Sequence, residues 1–167
     1  MFLKSKSNKH NYLYNILLTL SRNIFFYKKI GLSDTFETRI YLIFFHFSIF
    51  LIIYKKKNSK FDQKEYDYLF FNIENNLRES GLGDVTVNKK MKEFNKILYD
   101  ILLKLNIETK NNEFAINEML LKSYFSPLNN HQDQKLTILK DYLHKFFNFC
   151  FDQPLDNMIR ETINFKY

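Results

Sequence analysis

The chain has 167 residues but only one cysteine, three glycines, two prolines and no tryptophan. A lone cysteine, Cys150, excludes an internal disulfide framework and a zinc site built from several cysteines, and it favours a reducing compartment. Phenylalanine is abundant, with 19 residues. An AT-rich genome produces such a skew as readily as a functional requirement does, so we assign no function from it.

Acidic residues are missing from the first 33 positions. The whole chain has a net charge of +7, and nearly all of it belongs to this end. Its basic residues are Lys4, Lys6, Lys9, Arg22, Lys28 and Lys29. Clustered positive charge attracts phosphate groups, whether on an anionic membrane surface or on RNA, and a solvated arm that aids solubility is the alternative. We interpret residues 1–11 as a basic arm and expect the six basic residues to face a membrane.

The amino-terminal end lacks the pattern of a secretory signal, because Asn15 and Thr19 interrupt its apolar stretch. It shares an acid-free amphipathic character with mitochondrial leaders, but lysine outnumbers arginine and the helical pattern continues without a break. We therefore interpret the segment from Tyr12 onward as the first helix.

No apolar run reaches the length that a membrane crossing requires. The longest extends from Ile40 to Tyr54 and is interrupted only by His46 and Ser48. As a helix it spans about 22 Å, whereas the hydrocarbon layer is about 30 Å thick and needs roughly 20 residues. The run therefore predicts a buried central helix from about residue 35 to 57, with membrane insertion as the alternative.

Helix signals recur along the rest of the chain. Asp34 can cap the central helix, and Glu37, three residues later, can reach back to the backbone of the cap. Apolar residues recur at helical spacing in four further segments. These segments are residues 66–77, 91–105, 113–125 and 136–150. No alternating pattern indicates a sheet.

These patterns predict an all-α protein with about six helices in a single compact domain. A chain of this length can bury a sizeable core without disulfides or metals. We assign residues 12–153 to the helical domain. Residues 154–167, which begin at Pro154, are expected to form a short helix or a tail.

Two of the three glycines stand in one stretch, RESGLGDVTVNKKMKEF, at residues 78–94. A dinucleotide-binding loop is excluded, because the last position of the G-x-G-x-x-G motif is Thr86 and the preceding segment is predicted to be helical. Gly81 instead fits the left-handed residue that ends a helix, and Asp84 or Thr86 can start the next one. The stretch therefore predicts a corner between two helices.

The histidines and the cysteine form no recognisable catalytic or metal-binding motif. The histidines are His10, His46, His131 and His144. None has a histidine or carboxylate partner at the H-E-x-x-H spacing, and Cys150 lies on an apolar stripe without an activating neighbour. These residues therefore supply no candidate for acid–base, nucleophilic or metal-dependent catalysis.

Arg39 and His46 are the polar exceptions on the central helix. They lie seven residues apart and so share one face of an apolar helix. Polar groups in that position must be paired internally, hydrated or covered by a partner. For His46, an internal hydrogen bond, a partner contact and ligation of haem or a metal all remain open.

The order and spacing of several residues resemble the ubiquinol-cytochrome c chaperone family of alphaproteobacteria and mitochondria. The segments that carry the resemblance are FFYKKIGLSDTFETRIYLIFFHFSIFL and LRESGLGDVTVNKKMKEF, and the match covers roughly residues 12 to 150. The residues concerned are Tyr27, Gly31, Asp34, Arg39, His46, Arg78, Gly81, Gly83, Asp84, Lys89 and Lys90.

The resemblance implies an all-helical, non-enzymatic chaperone that assists the biogenesis of cytochrome b in the ubiquinol-cytochrome c reductase complex. The expected partners are cytochrome b or its assembly intermediate, an anionic membrane surface, and the ribosome as a further candidate. No catalytic residue, metal, cofactor or small-molecule substrate is expected. The expected location is cytoplasmic and peripheral on a bacterial inner membrane, or the matrix side in a eukaryote. We expect a partner to contact Arg39, His46, Arg78, Gly81, Gly83, Asp84, Lys89 and Lys90.

A basic helical module that binds RNA or the ribosome is the alternative function. It would use the amino-terminal lysines together with Lys55, Lys56, Lys57 and Lys60, and its binding would fall steeply with salt. Lys89 and Lys90, at the start of a helix, could also hold an anion with the free backbone N–H groups there. A solvated face is the simpler interpretation of these two lysines.

Overall fold

The computed structural model describes residues 12–109, 113–125, 128 and 133–167. Lys4, Lys6, Lys9, His10 and His131, with the predicted basic arm, lie outside these residues. Within them the chain forms helices joined by turns and loops, and no β-strand. The all-α prediction is therefore confirmed.

Seven α-helices lie in the described segments. They are α1 (Tyr12–Ser21), α2 (Phe36–Lys56), α3 (Gln63–Glu79), α4 (Asp84–Glu108), α5 (Glu118–Tyr124), α6 (Asp133–Phe151) and α7 (Leu155–Glu161). A π-helical turn at Phe25–Lys29 separates α1 from α2. The expected unbroken passage out of α1 is wrong, because the Asn23 side chain accepts from the Phe25 N–H at 3.0 Å and starts this new turn.

The central helix is α2. Twelve of its 21 residues are buried, and α1, α4 and α6 all pack against it. It is the one helix in the described segments that is long and apolar enough to cross a membrane, yet 67% of its most apolar window is buried by the other helices. Burying a large apolar side chain contributes about 1.5–3 kcal/mol, so this packing dominates the core. The predicted buried central helix is confirmed.

Aromatic contacts define how α3 and α4 lie along α2. Phe44 packs on Phe70 with ring centroids 5.9 Å apart, and Phe47, one turn later in α2, packs on Tyr66, one turn earlier in α3. This order makes α3 antiparallel to α2. After the corner α4 returns alongside α2, where Phe94 in its first half packs on Phe44 at 6.2 Å. The start of α2, the end of α3 and the start of α4 therefore meet at one end of the protein.

The carboxyl-terminal segment packs back onto α6. Phe165 lies 5.6 Å from the ring of Tyr142 and 5.2 Å from that of Phe146. The Tyr167 hydroxyl donates to the Asp141 carboxylate at 3.0 Å. Of the two alternatives for residues 154–167, the structure shows a short helix, α7, followed by an anchored end.

Candidate functional site

A charged cluster lies at the start of α2. Arg39 donates from Nε and Nη2 to the two carboxylate oxygens of Asp34, at 2.7 and 2.9 Å. These hydrogen bonds hold the pKa of Asp34 below its usual range and raise the pKa of Arg39. Arg39 also interacts with the hydroxyl of Tyr27, which donates to the Ser21 carbonyl at 2.5 Å. The cluster thereby ties the end of α1 to the start of α2.

The cap of α2 differs from the sequence-based expectation. Thr35, not Asp34, is the N-cap, and its hydroxyl oxygen accepts from the Thr38 N–H at 3.1 Å. The expected cap at Asp34 is wrong because Arg39 holds its carboxylate in a two-point, charge-assisted pair, which is stronger than a single capping bond. Glu37 pairs with Lys90 of α4 at 3.2 Å.

Gly31 makes the turn between Tyr27 and Asp34, both of which interact with Arg39. Its φ is +80°, in the left-handed region that glycine adopts without strain. The next N–H, that of the buried Leu32, donates to the Phe26 carbonyl at 2.9 Å and closes the turn. The backbone conformation therefore accounts for a glycine at this position.

The predicted corner between two helices is present at Gly81 and Gly83. Gly81 follows α3 with φ +88° and donates its N–H to the Arg78 carbonyl at 3.0 Å, which confirms the left-handed helix stop. Gly83 is the N-cap of α4, which begins at Asp84, and its φ is −71°. No atom lies within 4 Å of a Cβ placed on Gly83. The fold therefore requires glycine at Gly81 but not at Gly83.

Arg78 bridges this corner. Its Nη2 donates to Glu74 at 2.7 Å, one turn earlier in α3, and its Nη1 bonds to the Asp84 carboxylate across the corner. The hydrogen bond to Glu74 is the largest cause that raises the pKa of Arg78, and the bond to Asp84 raises it further. The Asp84 charge also lies at the amino-terminal end of α4, where the helix dipole favours an anion. Arg78 and Asp84 therefore stabilise the corner through contacts within the chain.

The two lysines after the corner have different surroundings. Lys90 is half-buried and pairs with Glu37, so it links α4 to α2. Lys89 is exposed and has no ion-pair partner in the described part of the chain. Because Arg39 and Arg78 lie at the same end of the protein, the structure brings together every expected partner-contact residue except His46.

His46 lies in the interior between α2 and α6, with no exposed surface. Its Nδ1 is 2.6 Å from the Leu42 carbonyl, which can only accept, so Nδ1 carries the proton. Its Nε2 then accepts from the Tyr142 hydroxyl at 2.9 Å. Burial lowers the pKa of His46 to about 4. The structure shows the internally hydrogen-bonded alternative, and it leaves His46 no surface for the contact with a partner that the sequence suggested.

Tyr142 is the residue near this site that the sequence did not reveal. It directly precedes Leu143 of the apolar stripe on α6, and it is 99% buried with its hydroxyl turned towards His46. Burial raises the pKa of Tyr142 well above its usual range, so the hydroxyl remains a donor. The sequence signal for this contact was a tyrosine beside a continuous apolar stripe, because a buried tyrosine hydroxyl needs a polar partner.

The remaining candidates for chemistry lie apart from one another. Cys150 is fully buried, and burial raises the pKa of its thiol above the usual range, which keeps it protonated and unreactive. His144 is exposed on α6. Among the described residues, no three side chains of the metal-binding types come together.

Basic residues of the expected membrane-facing set lie between α1 and α2. Arg22, Lys28 and Lys29 are exposed, and Arg22 lies near enough to Asp34 to contribute to its lowered pKa. Ile24, in the same connection, is 60% exposed. This connection therefore presents positive charge and apolar surface side by side.

Comparison with known protein families gives a match. The family model described as ubiquinol-cytochrome C chaperone matches residues 28–165, which is most of the chain and includes the corner, the α2 cluster and α6. The matched range begins later and ends later than the sequence resemblance suggested. No curated protein and no solved structure matches the chain.

Proposed function

Because the chain belongs to the ubiquinol-cytochrome c chaperone family, we propose that it assists the biogenesis of cytochrome b by holding an assembly intermediate at an anionic membrane surface. The observation that carries this proposal is the extent of the family match, 28–165, over an all-helical fold. A chaperone of this kind acts through binding and release, so the proposal requires no catalytic residue. The client is a protein subunit of the respiratory complex.

We assign client binding to the end of the protein where α2 and α4 begin, which we call the corner face. It comprises Arg39, Arg78, Gly81, Gly83, Asp84, Lys89 and Lys90. Gly83 supports the assignment, because neither its φ nor its surroundings require glycine. A bare backbone there leaves room for a client to approach the first N–H groups of α4, and exposed Lys89 adds positive charge beside them.

Charge reversal at the corner face tests the client assignment. Lys89→Glu with Lys90→Glu should leave the protein folded, since exposed or half-exposed charges contribute little to stability. In cells we expect cytochrome b to fail to accumulate. Lys60→Glu with Lys64→Glu is the matched control, because it changes the charge equally at exposed sites where α3 begins, the opposite end of the protein.

Lys90 also pairs with Glu37, so a second variant separates binding from that contact. Glu37→Lys with Lys90→Glu retains an opposite-charge pair and leaves Lys89 in place. We expect this swap to retain more cytochrome b than the double charge reversal does. Normal cytochrome b levels in the Lys89→Glu, Lys90→Glu strain would remove the corner face from the proposal and leave its lysines as a solvated surface.

Attachment to the membrane is the second part of the proposal, with the protein peripheral on the cytoplasmic face of a bacterial inner membrane or its mitochondrial equivalent. The acid-free first 33 residues support it, since each basic residue near an anionic surface contributes about 1 kcal/mol. We expect the protein to float with vesicles that contain phosphatidylglycerol at low salt and to be released at high salt. Lys28→Glu with Lys29→Glu should weaken binding, and Lys60→Glu with Lys64→Glu should not. Equal flotation with neutral vesicles would contradict an electrostatic attachment.

Binding to RNA or the ribosome is less well supported. Of the lysines that it would use near the end of α2, Lys57 is engaged within the fold: its Nζ donates to the Gln153 carbonyl at 2.7 Å and lies 5.1 Å from the centre of the Phe151 ring. The basic patch available to a phosphate backbone is correspondingly smaller.

A further inference from the structure

The outward surface of α4 carries a line of side chains of which only Lys89 belongs to the corner face. Its members are Val85, Lys89, Lys92, Lys96, Tyr99 and Leu103, and all six are exposed. They recur at steps of four and three residues, the spacing that holds one face of a helix against another helix in a coiled coil. We call this line the α4 seam. It extends over about 27 Å at 1.5 Å per residue.

The seam is apolar towards its carboxyl end. Tyr99 and Leu103 are 61% and 59% exposed, which is high for large apolar side chains one turn apart. They border a groove of about 250 Å³ between α4 and the end of α2, and Leu51 and Leu102 add apolar surface to it. An exposed apolar patch that continues into a groove is a shape that binding surfaces use.

After Val85, the amino-terminal half of the seam is basic. Lys89, Lys92 and Lys96 have no ion-pair partner in the described part of the chain, and Glu93 is the one acidic residue among these turns of α4. Further along the same helix, Lys104 does have a partner, since it pairs with Asp100 at 2.8 Å. The seam therefore presents three uncompensated positive charges in line with an apolar patch.

We infer that the α4 seam docks an amphipathic helix of a partner protein, with acidic residues opposite the lysines and apolar residues opposite Tyr99 and Leu103. A helix on a flat bilayer has its charged and apolar residues at different depths, on different faces. In this seam the charged and apolar residues instead follow one another along the helix axis, an arrangement that a rod-like partner such as a helix matches. A second copy fits poorly, because parallel pairing sets lysine against lysine and antiparallel pairing sets lysine against the apolar patch. The inference goes beyond client binding at the corner face and does not depend on the identity of the client.

Site-specific photo-cross-linking in cells tests the inference. The photoreactive residue p-benzoylphenylalanine replaces Tyr99, and in a control strain it replaces Phe71 of α3, which is similarly exposed at 58%. We expect a protein adduct at position 99 that is absent at position 71. The cross-linked peptide should belong to a helix with acidic and apolar residues at the same three-and-four spacing. A lipid adduct, an RNA adduct, a self-adduct or no adduct at position 99 overturns the inference.

Charge exchange provides the quantitative test in purified protein. The probe is a synthetic helical peptide with glutamates and leucines at complementary heptad positions, and binding is followed by fluorescence anisotropy. Lys92→Glu with Lys96→Glu should weaken binding about tenfold or more, and a peptide with lysines in place of the glutamates should restore it. Lys60→Glu with Lys64→Glu should have no effect. Equal affinity of the peptide for all variants overturns the inference. The proposal for the corner face is tested separately, by cytochrome b levels in cells.

Discussion

Mild acid should destabilise this protein through one buried histidine, His46. The ring is fully buried between α2 and α6, and its pKa in the folded protein is about 4 against an ordinary value of 6.5. Burial is the cause, because the aromatic rings of Phe26, Tyr142 and Phe146 surround the imidazole and none of them carries a charge that would stabilise a cation. The folded protein therefore holds His46 neutral.

The sign of the effect follows from which state binds the proton. Between about pH 6.5 and pH 4 the unfolded chain protonates this histidine while the folded chain does not. The unfolded state then binds more protons, so the free energy of unfolding falls as the pH falls through this window. The gap between the two pKa values corresponds to about 3 kcal/mol, which is a large fraction of the stability of an ordinary domain.

The assay is urea unfolding at a series of pH values, followed by far-ultraviolet circular dichroism. The matched variant is His46→Gln, which cannot titrate but can still hydrogen-bond to the Tyr142 hydroxyl. The variant should be less stable than the wild type at neutral pH, and the difference should shrink by about 3 kcal/mol as the pH approaches 4. Carboxylates such as Asp34, whose pKa is lowered, titrate in both proteins and cancel from the comparison.

Parallel pH profiles for the two proteins would refute the reasoning. Such a result would mean that His46 keeps an ordinary pKa, and therefore that water or a charge reaches it between α2 and α6.

Two further outcomes follow from particular contacts. Gly81→Val should lower the free energy of unfolding by about 1–2 kcal/mol, because a β-branched residue resists φ +88°. Gly83→Ser should be neutral or stabilising by a few tenths of a kcal/mol, since serine is a better N-cap than glycine. Equal losses of stability for the two variants in urea unfolding would contradict this assignment of the corner. Phe165→Ala should cost about 2 kcal/mol in the same assay by removing the ring that packs on Tyr142 and Phe146, and an unchanged midpoint would show that the carboxyl-terminal end is not anchored.

The helices could be predicted from the sequence because their signals are local. The apolar run from Ile40 to Tyr54 became the buried centre of α2, and the stripe from Leu136 to Cys150 became the core face of α6. Helical periodicity records which face is buried, so such segments need no knowledge of their partners. Gly81 was predictable for the same reason, since a left-handed helix stop is a property of one residue and its neighbours.

The polar contacts were less predictable because they join distant parts of the chain. Arg39 and His46 share a face of α2, yet Arg39 pairs with Asp34 at the exposed start of the helix and His46 bonds to Tyr142, 96 residues away. Periodicity places two residues on one side of a helix but does not say what the other helix presents there. The prediction of the N-cap of α2 was wrong for the same reason. Asp34 and Thr35 are both good N-caps, and only the position of Arg39 decides between them.

The residues that carry the family resemblance divide into two groups according to whether the fold already uses them. Arg39, Arg78 and Lys90 each have a partner inside the chain, so their presence is explained by the turn, the corner and the link between α2 and α4. Gly83 and Lys89 have no such explanation, because the backbone does not require the glycine and no described carboxylate pairs with the lysine. Where the fold does not need a residue, contact with an external partner is the more direct explanation for its presence. Variants at Gly83 and Lys89 therefore separate binding from stability better than variants at Arg39 and Arg78, whose loss would disturb both.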